Sequence, residues 1–301
     1  MSWQALQISV AANEVARTEA LLQLAGAVAI SLAGEGEAAL FEPAPGETPL
    51  WSSVRLTALF PPAVALGPTA DALRATLGPG GAITVRALGE QDWHGAAQQR
   101  PATRRFGARL VVAAADTELG ASAPVVVRLS PGLGFGTGAH PTTALCLEWL
   151  DGELAPGACV VDYGCGSGIL AIAALRLGAS YAWAVDHEPQ ALTATRANAA
   201  LNGVGDRLWS GPPDALPGVQ ADVVVANILA GTLHALRDVL ARCVGPGGRL
   251  VLSGLLASQG KALRRHYGHR FGPFTEQRAA GWSLLCAPRR AGQAAPGRCG
   301  G

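Results

Sequence analysis

The 301-residue chain has few charged and few aromatic side chains. Asp, Glu, Lys and Arg make up 15% of the residues, aromatic residues make up 5%, and the formal net charge at pH 7 is +1. A nearly neutral chain gives no support for a large nonspecific nucleic-acid surface, so we expect no direct nucleic-acid partner. The chain also lacks an apolar run long enough to cross a membrane, and no charged region precedes an apolar stretch at its start. We therefore expect a soluble, cytoplasmic monomer without a membrane partner.

Paired cysteines are also missing. The six cysteines include no C-x-x-C pair, so we expect neither a metal site nor a disulfide framework. Most of them lie in apolar stretches, where buried thiols are usually inert. About half of the residues are apolar, so a chain of this length can build two domains with sizeable cores.

The stretch VVDYGCGSGIL at 160–170 is the most informative part of the sequence. Val160, Val161 and Asp162 are typical of the end of a buried strand. Glycines then occupy every second position at Gly164, Gly166 and Gly168. The apolar run that follows predicts a helix packed on a sheet. Strand, glycine turn and helix together open the nucleotide site of a doubly wound, Rossmann-like α/β domain.

The spacing of these glycines distinguishes between nucleotides. A dinucleotide site has the pattern G-x-G-x-x-G, whereas this chain has G-x-G-x-G entered through Asp162. That spacing favours S-adenosylmethionine, which has no pyrophosphate to bind at the helix N-terminus, over a nicotinamide cofactor. A second predicted strand ends at Asp186, and an acid there can accept hydrogen bonds from ribose hydroxyls. The alternative is a tight turn without a ligand.

Two further stretches carry candidate site residues. The buried strand predicted over 221–226 ends at Asn227, and ligands of open α/β sheets bind beyond the carboxyl ends of strands. The glycine-rich loop around Phe135 can close over a ligand, and Thr143 lies in the first turn of the helix that follows. His140 precedes that helix and has two interpretations, a structural residue or a general base.

The first 90 residues predict the element order βαββαβ of a ferredoxin-like fold. We expect Asn13 to cap the first helix, whose apolar face includes Leu22 and Leu24. Nothing here looks catalytic, so this region is either a platform that binds a partner or a structural cap. Further along, we expect one continuous helix over 231–243.

A family resemblance rests on four stretches of the sequence, PGLGFGTGAHPTTALCLEWL, VVDYGCGSGILAIAALRLGA, ADVVVANILAGTL and GGRLVLSGLLASQ. They resemble the corresponding stretches of ribosomal protein L11 methyltransferases, a family of class I S-adenosylmethionine-dependent enzymes. Two departures from the family pattern are Ala139, where Thr is usual before the histidine, and the absence of a second Trp shortly after Trp93 in the linker.

The resemblance implies a substrate, a cofactor and residue roles. The substrate would be large-subunit ribosomal protein L11, methylated on lysine ε-amines and on its N-terminal α-amine. Residues 1–90 would recognise it, 91–124 would form a linker, 125–288 the methyltransferase domain and 289–301 a disordered tail. Alternatives are another protein or small-molecule substrate, or a non-catalytic cofactor-binding protein. The cofactor contacts would be Thr143, Gly164, Gly166, Asp186, Asn227 and Phe135, with Asn227 and His140 as catalytic candidates.

Overall fold

A computed structural model describes residues 3–35, 50–77, 83–88, 103–119, 125–130 and 140–291. The chain forms two compact units, Met1–Ala97 and Gln98–Gly301. Within the described ranges, no helix has the length and apolarity that a membrane crossing requires.

The first unit is a four-stranded antiparallel sheet with two helices. Its strands are paired in the order β2-β3-β1-β4, so the two central strands are not neighbours along the chain. Inward and outward side chains alternate along β3, as expected for a sheet with one face on a core. The elements are β1 Trp3–Ala11, α1 Val15–Leu24, β2 Ala29–Gly34, β3 Ser53–Phe60, α2 Leu66–Leu77 and β4 Ile83–Leu88.

The start of α1 differs from the sequence prediction. Asn13 lies inside a short 3₁₀ turn, Ala12–Glu14, and no side chain caps the helix. The buried face consists of Val15, Thr18 and Leu22, at helical spacing, whereas Leu24 is 85% exposed. The prediction of Asn13 as cap and of Leu24 as a core residue was therefore wrong.

The second unit begins with a small three-stranded sheet of β5 Arg104–Phe106, β6 Leu110–Ala114 and β7 Val125–Leu129. The β5–β6 pair is antiparallel and the β6–β7 pair is parallel. Two of these strands fall in the stretch that the sequence suggested as a linker.

The rest of the second unit is a seven-stranded mixed sheet with the order β10-β9-β8-β11-β12-β14-β13. The first five strands in this order are parallel, and β14 enters between β12 and β13 in the antiparallel sense. The elements are α3 Pro141–Glu153, β8 Cys159–Tyr163, α4 Ile169–Arg176, β9 Tyr181–Val185, α5 Pro189–Leu201, β10 Leu208–Gly211, β11 Ala221–Asn227, α6 Ala230–Ala235, α7 Arg237–Cys243, β12 Val244–Leu256, α8 Gly260–Tyr267, β13 Thr275–Ala279 and β14 Trp282–Pro288.

Apolar side chains cover both faces of this sheet. Neighbouring residues of one strand, such as Val160 and Val161, belong to two different core clusters because successive side chains point to opposite faces. Helices α3, α4 and α5 pack on one face, and α6, α7 and α8 on the other. The α/β architecture is therefore confirmed, and the carboxyl ends of five parallel strands meet at one edge, which we call the carboxyl edge.

The helix predicted over 231–243 is divided in two at Leu236. The reason is a pair of hydrogen bonds from α8. Tyr267 Oη donates to the Leu233 carbonyl at 2.6 Å, and His266 Nε2 lies 3.1 Å from the His234 carbonyl. These carbonyls would otherwise accept hydrogen bonds within the helix, so side chains of α8 replace part of its ladder.

Candidate functional site

The glycine turn between β8 and α4 brings bare backbone to the carboxyl edge. Gly164, Gly166 and Gly168 all have positive φ, at 80°, 53° and 77°. A Cβ on Gly164 would overlap the Ile228 side chain, so a larger residue fits neither the conformation nor the space. The Gly164 amide also donates to the Val185 carbonyl at 2.8 Å, which ties the turn to the end of β9.

Asp162 near the end of β8 is almost fully buried. Its Oδ2 accepts a hydrogen bond from the Ala171 amide at 3.0 Å, whereas its buried Oδ1 has no partner among the described residues. Burial raises the pKa of Asp162 to about 7, the negative charge of Asp186 adds to the rise, and the Ala171 amide opposes it. Such an orphaned carboxylate oxygen suits a hydrogen-bond donor supplied by a ligand.

Asp186 directly follows β9, at the strand end where the sequence placed it, and it lies against the glycine turn. Its Oδ2 accepts from the Gly166 amide at 2.9 Å, and its Oδ1 accepts from the Glu188 amide at 3.0 Å. Two backbone donors therefore fix the carboxylate, and each oxygen keeps a second lone pair for a ligand.

The structure also brings together Asn227 and Thr143, which are 84 positions apart in the sequence. Asn227 Nδ2 donates to Thr143 Oγ1 at 3.2 Å. One strand further along the sheet, Ser253 Oγ donates to the Thr142 carbonyl at 3.2 Å. The first turn of α3 is thus fixed on the ends of β11 and β12, next to the carboxyl edge.

His140 is the N-cap of α3. Its Nδ1 accepts from the Thr142 amide at 3.4 Å and lies 2.8 Å from Thr142 Oγ1. The ring contacts Trp282 edge-on with centroids 4.8 Å apart, and burial lowers the pKa of His140. The contacts with Thr142 are those of a helix cap, which is a structural role. Phe135 lies outside the described residues.

A polar stripe on α5 supports the turn, and sequence reasoning missed it. Thr195 Oγ1 donates to the Gly166 carbonyl at 3.0 Å. Asn198 donates to the Ser167 carbonyl at 2.9 Å and accepts from the Ser130 amide at 3.0 Å. Thr195 and Asn198 carry no local sequence signal for this role, because polar residues on a helix usually face solvent.

The sheet order, the glycine turn and the polar strand ends define a nucleotide-binding domain of the doubly wound α/β class. Three neighbouring strands supply Asp162, Asp186 and Asn227 to one edge. Comparison with known proteins identifies the family.

The family described as ribosomal protein L11 methyltransferase (PrmA) matches residues 2–290. Relatives with that name in Nitrosococcus oceani and Alkalilimnicola ehrlichii are 44% and 45% identical. These matches cover 96% and 95% of this chain, and 100% and 98% of the relatives. A crystal structure of ribosomal protein L11 methylase from Lactobacillus delbrueckii subsp. bulgaricus is 32% identical with a TM-score of 0.57, over 62% of this chain and 98% of that chain. The chain belongs to the ribosomal protein L11 methyltransferase family.

S-adenosylmethionine is the cofactor of this family, and the residues at the carboxyl edge fit it. The glycine turn presents bare backbone at Gly164, where a Cβ would overlap Ile228. The buried Oδ1 of Asp162 and the fixed carboxylate of Asp186 offer acceptors to the cofactor's donor groups. The family resemblance drawn from the sequence is therefore confirmed.

Proposed function

We propose that this protein transfers methyl groups from S-adenosylmethionine to amines of ribosomal protein L11, namely lysine ε-amines and the N-terminal α-amine. The main observation that supports this proposal is that Asp162, Asp186 and the Asn227–Thr143 pair lie together at the carboxyl edge. Family membership supports the substrate, and these side chains support the cofactor site.

The residues divide into cofactor-holding and amine-orienting groups. Asp186 would accept hydrogen bonds from the ribose hydroxyls, and the Gly164–Gly166 backbone would contact the methionine part. Thr143, beside Asn227, would complete the cofactor site. The bound cofactor supplies an electrophilic methyl group on a sulfonium, so the chain needs neither a metal nor a covalent nucleophile.

Asn227 would orient the attacking amine in line with that methyl group, because positioning is the main contribution a protein makes to such a displacement. A free lysine amine has a pKa of about 10.4, so it must lose a proton before it attacks. A desolvated site favours the neutral amine, and Phe135 with its glycine-rich loop would exclude water.

We propose that the N-terminal unit is a ferredoxin-like domain that recognises the substrate, and that 91–124 links it to the methyltransferase domain. The βαββαβ order and the strand order β2-β3-β1-β4 support this assignment. The cytoplasmic location and the monomeric state stay predictions, and the absent second Trp of the linker falls outside the described residues.

The first experiment measures methyl transfer from S-adenosylmethionine to purified ribosomal protein L11 by intact mass. We expect mass gains in steps of one methyl group, and an Asn227→Ala variant whose kcat at saturating S-adenosylmethionine falls about 100-fold. Thr232→Ala, an exposed change in α6, is the control. Cofactor binding without any mass gain would favour another substrate or a non-catalytic binding protein, and full activity of Asn227→Ala would remove that residue from the mechanism.

His140 needs a separate test, because substitution by Ala would remove the helix cap and the general base together and so could not distinguish the two roles. Asn is a good N-cap but cannot act as a base near neutral pH, so His140→Asn separates the two roles. If His140 is the general base, both His140→Asn and His140→Ala change the pH–rate profile. If His140 is only a cap, His140→Asn should have the thermal stability and the methylation rate that His140→Ala loses. Its pH–rate profile should then be that of the unmodified protein.

A further inference from the structure

Charge is distributed unevenly along the chain. From Arg237 to the last residue, the sequence has eleven of its 23 Lys and Arg residues but only two of its 22 Asp and Glu residues. The preceding part therefore carries an acidic excess that nearly cancels the basic one. The expectation of no nucleic-acid partner rested on the total net charge, which conceals this asymmetry.

The cations lie on three segments that are in contact. Arg270, just after α8, forms an ion pair with Asp238 of α7 at 3.2 Å. Arg290, just after β14, donates from Nε to the Gly268 carbonyl at 3.1 Å. The C-terminal basic surface is defined by Arg242, Lys261, Arg265, His269, Arg270 and Arg290.

The two acids of this segment neutralise only part of the surface. Asp238 pairs with Arg270 of the surface and with Arg237. Glu276 is bound by Arg278 and Arg264, and hydrogen bonds from Arg278 and Ser283 contribute to lowering its pKa to about 2.

Three cations of the surface make no direct polar contact with the described residues. Arg242, Lys261 and Arg265 are exposed and have neither an ion pair nor a hydrogen bond with any residue that the structure describes. Lys261 and Arg265 are four residues apart on α8, so they lie on the same side of that helix.

The surface reaches the sheet edge opposite the cofactor. Because β14 is antiparallel to β12, Trp282 pairs with Leu256 at the carboxyl edge and Pro288 pairs with Arg249 near the amino end. Arg290 follows Pro288, and Arg242 comes just before β12 begins. A ligand at this end of the surface would leave the carboxyl edge accessible.

We infer that the C-terminal basic surface binds the phosphate backbone of RNA. Nine of the ten cations between 237 and 291 are arginines, whose planar guanidinium can bind phosphate through two hydrogen bonds. None of the exposed large apolar side chains in the described ranges lies between 237 and 291, which disfavours insertion into a lipid surface. RNA rather than DNA is favoured because the family's substrate is a component of the ribosome.

The test uses the full chain and a fluorescein-labelled RNA duplex of about 20 base pairs, with anisotropy measured between about 50 and 200 mM KCl. The variant Arg242→Gln, Lys261→Gln, Arg265→Gln removes three charges from the surface. The matched control Arg17→Gln, Arg86→Gln, Arg104→Gln removes three charges elsewhere. We expect a plot of the logarithm of the RNA association constant against the logarithm of the KCl concentration to have a negative slope. The magnitude of this slope should decrease by about 2 to 3 in the surface variant and stay unchanged in the control.

Four outcomes would overturn the inference. They are no RNA binding at the lowest salt, equal losses in the two variants, equal affinity for a DNA duplex of the same sequence, and binding to anionic phospholipid vesicles but not to RNA. Methylation of isolated ribosomal protein L11 by the surface variant should match that of the unmodified protein. That readout checks folding and keeps this test independent of the proposed activity.

Discussion

Individual glycines differ in what they contribute, and Gly164 and Gly157 form a matched pair. Both have positive φ, but a Cβ on Gly164 would overlap Ile228, whereas a Cβ on Gly157 would meet nothing within 4 Å. Gly157→Ala should therefore lower the free energy of unfolding by about 1 kcal/mol and leave cofactor affinity unchanged. Gly164→Ala should lower it by more than about 2 kcal/mol and weaken S-adenosylmethionine binding at least tenfold.

Thermal unfolding and calorimetric titration of the two variants provide the measurement. Equal effects of the two substitutions on cofactor affinity would show that the space at Gly164 does not matter for the ligand.

Asp162 makes stability depend on pH. Its folded pKa, about 7 because of burial, lies above the unfolded value of about 4, so the folded protein holds a proton that the unfolded chain has lost. Without cofactor, the free energy of unfolding should fall as pH rises from about 4 to 7, by up to about 1.4 kcal/mol per pH unit. Asp162→Asn should flatten this part of the curve in urea unfolding measured between those pH values. An unchanged slope in the variant would mean that other groups cause the dependence.

Local sequence patterns mark the predicted site residues that the structure places at the carboxyl edge. Asp186 and Asn227 end apolar strands, and parallel strand ends meet at one edge whatever the details of packing. Thr195 and Asn198 could not be recognised in the same way, because polar residues on a helix usually face solvent. Only the arrangement of α5 over the glycine turn makes their side chains part of the site.

At the scale of elements, α5 connects two segments that are distant in sequence. Asn198 joins Ser130, just after β7, to Ser167 in the glycine turn. Asn198→Ala should lower the free energy of unfolding by about 1 to 3 kcal/mol, because the carbonyl of buried Ser167 loses its partner. Thr193→Ala on the exposed side of the same helix should change it by less than about 0.5 kcal/mol. Urea unfolding of the two variants measures this difference. Equal losses of unfolding free energy in Asn198→Ala and Thr193→Ala would contradict the connecting role of Asn198.

Element boundaries were predicted less well than element types, for a physical reason. The divided helix at Leu236 depends on hydrogen bonds from Tyr267 and His266, more than 30 positions away, and no local pattern contains them. The first turn of α1 was likewise mispredicted, because Asn13 has a good capping side chain but lies in a 3₁₀ turn.

The whole molecule contains separate cores in its two units. One apolar cluster, which includes Leu56, lies entirely in the N-terminal unit, and the other two lie in the second unit. We therefore expect two calorimetric unfolding transitions. S-adenosylmethionine at about 100 times its Kd should stabilise only the methyltransferase domain, by about 2.7 kcal/mol.

The variant Leu56→Ala assigns the other transition. It removes a fully buried side chain from β3 and should destabilise the N-terminal unit alone, by about 2 to 5 kcal/mol. A single transition that shifts as a whole with cofactor and with Leu56→Ala would show that the two units unfold together.

The antiparallel direction of β14 also offers a position for a spectroscopic probe. The strand carries the chain from the carboxyl edge back toward the amino ends, so exposed Ala291 follows it away from the cofactor site. Among the described cysteines, only Cys159 is not buried. A dye attached through Ala291→Cys, with Cys159 and Cys299 replaced by Ser, would therefore report on ligands of the basic surface without obstructing methyl transfer.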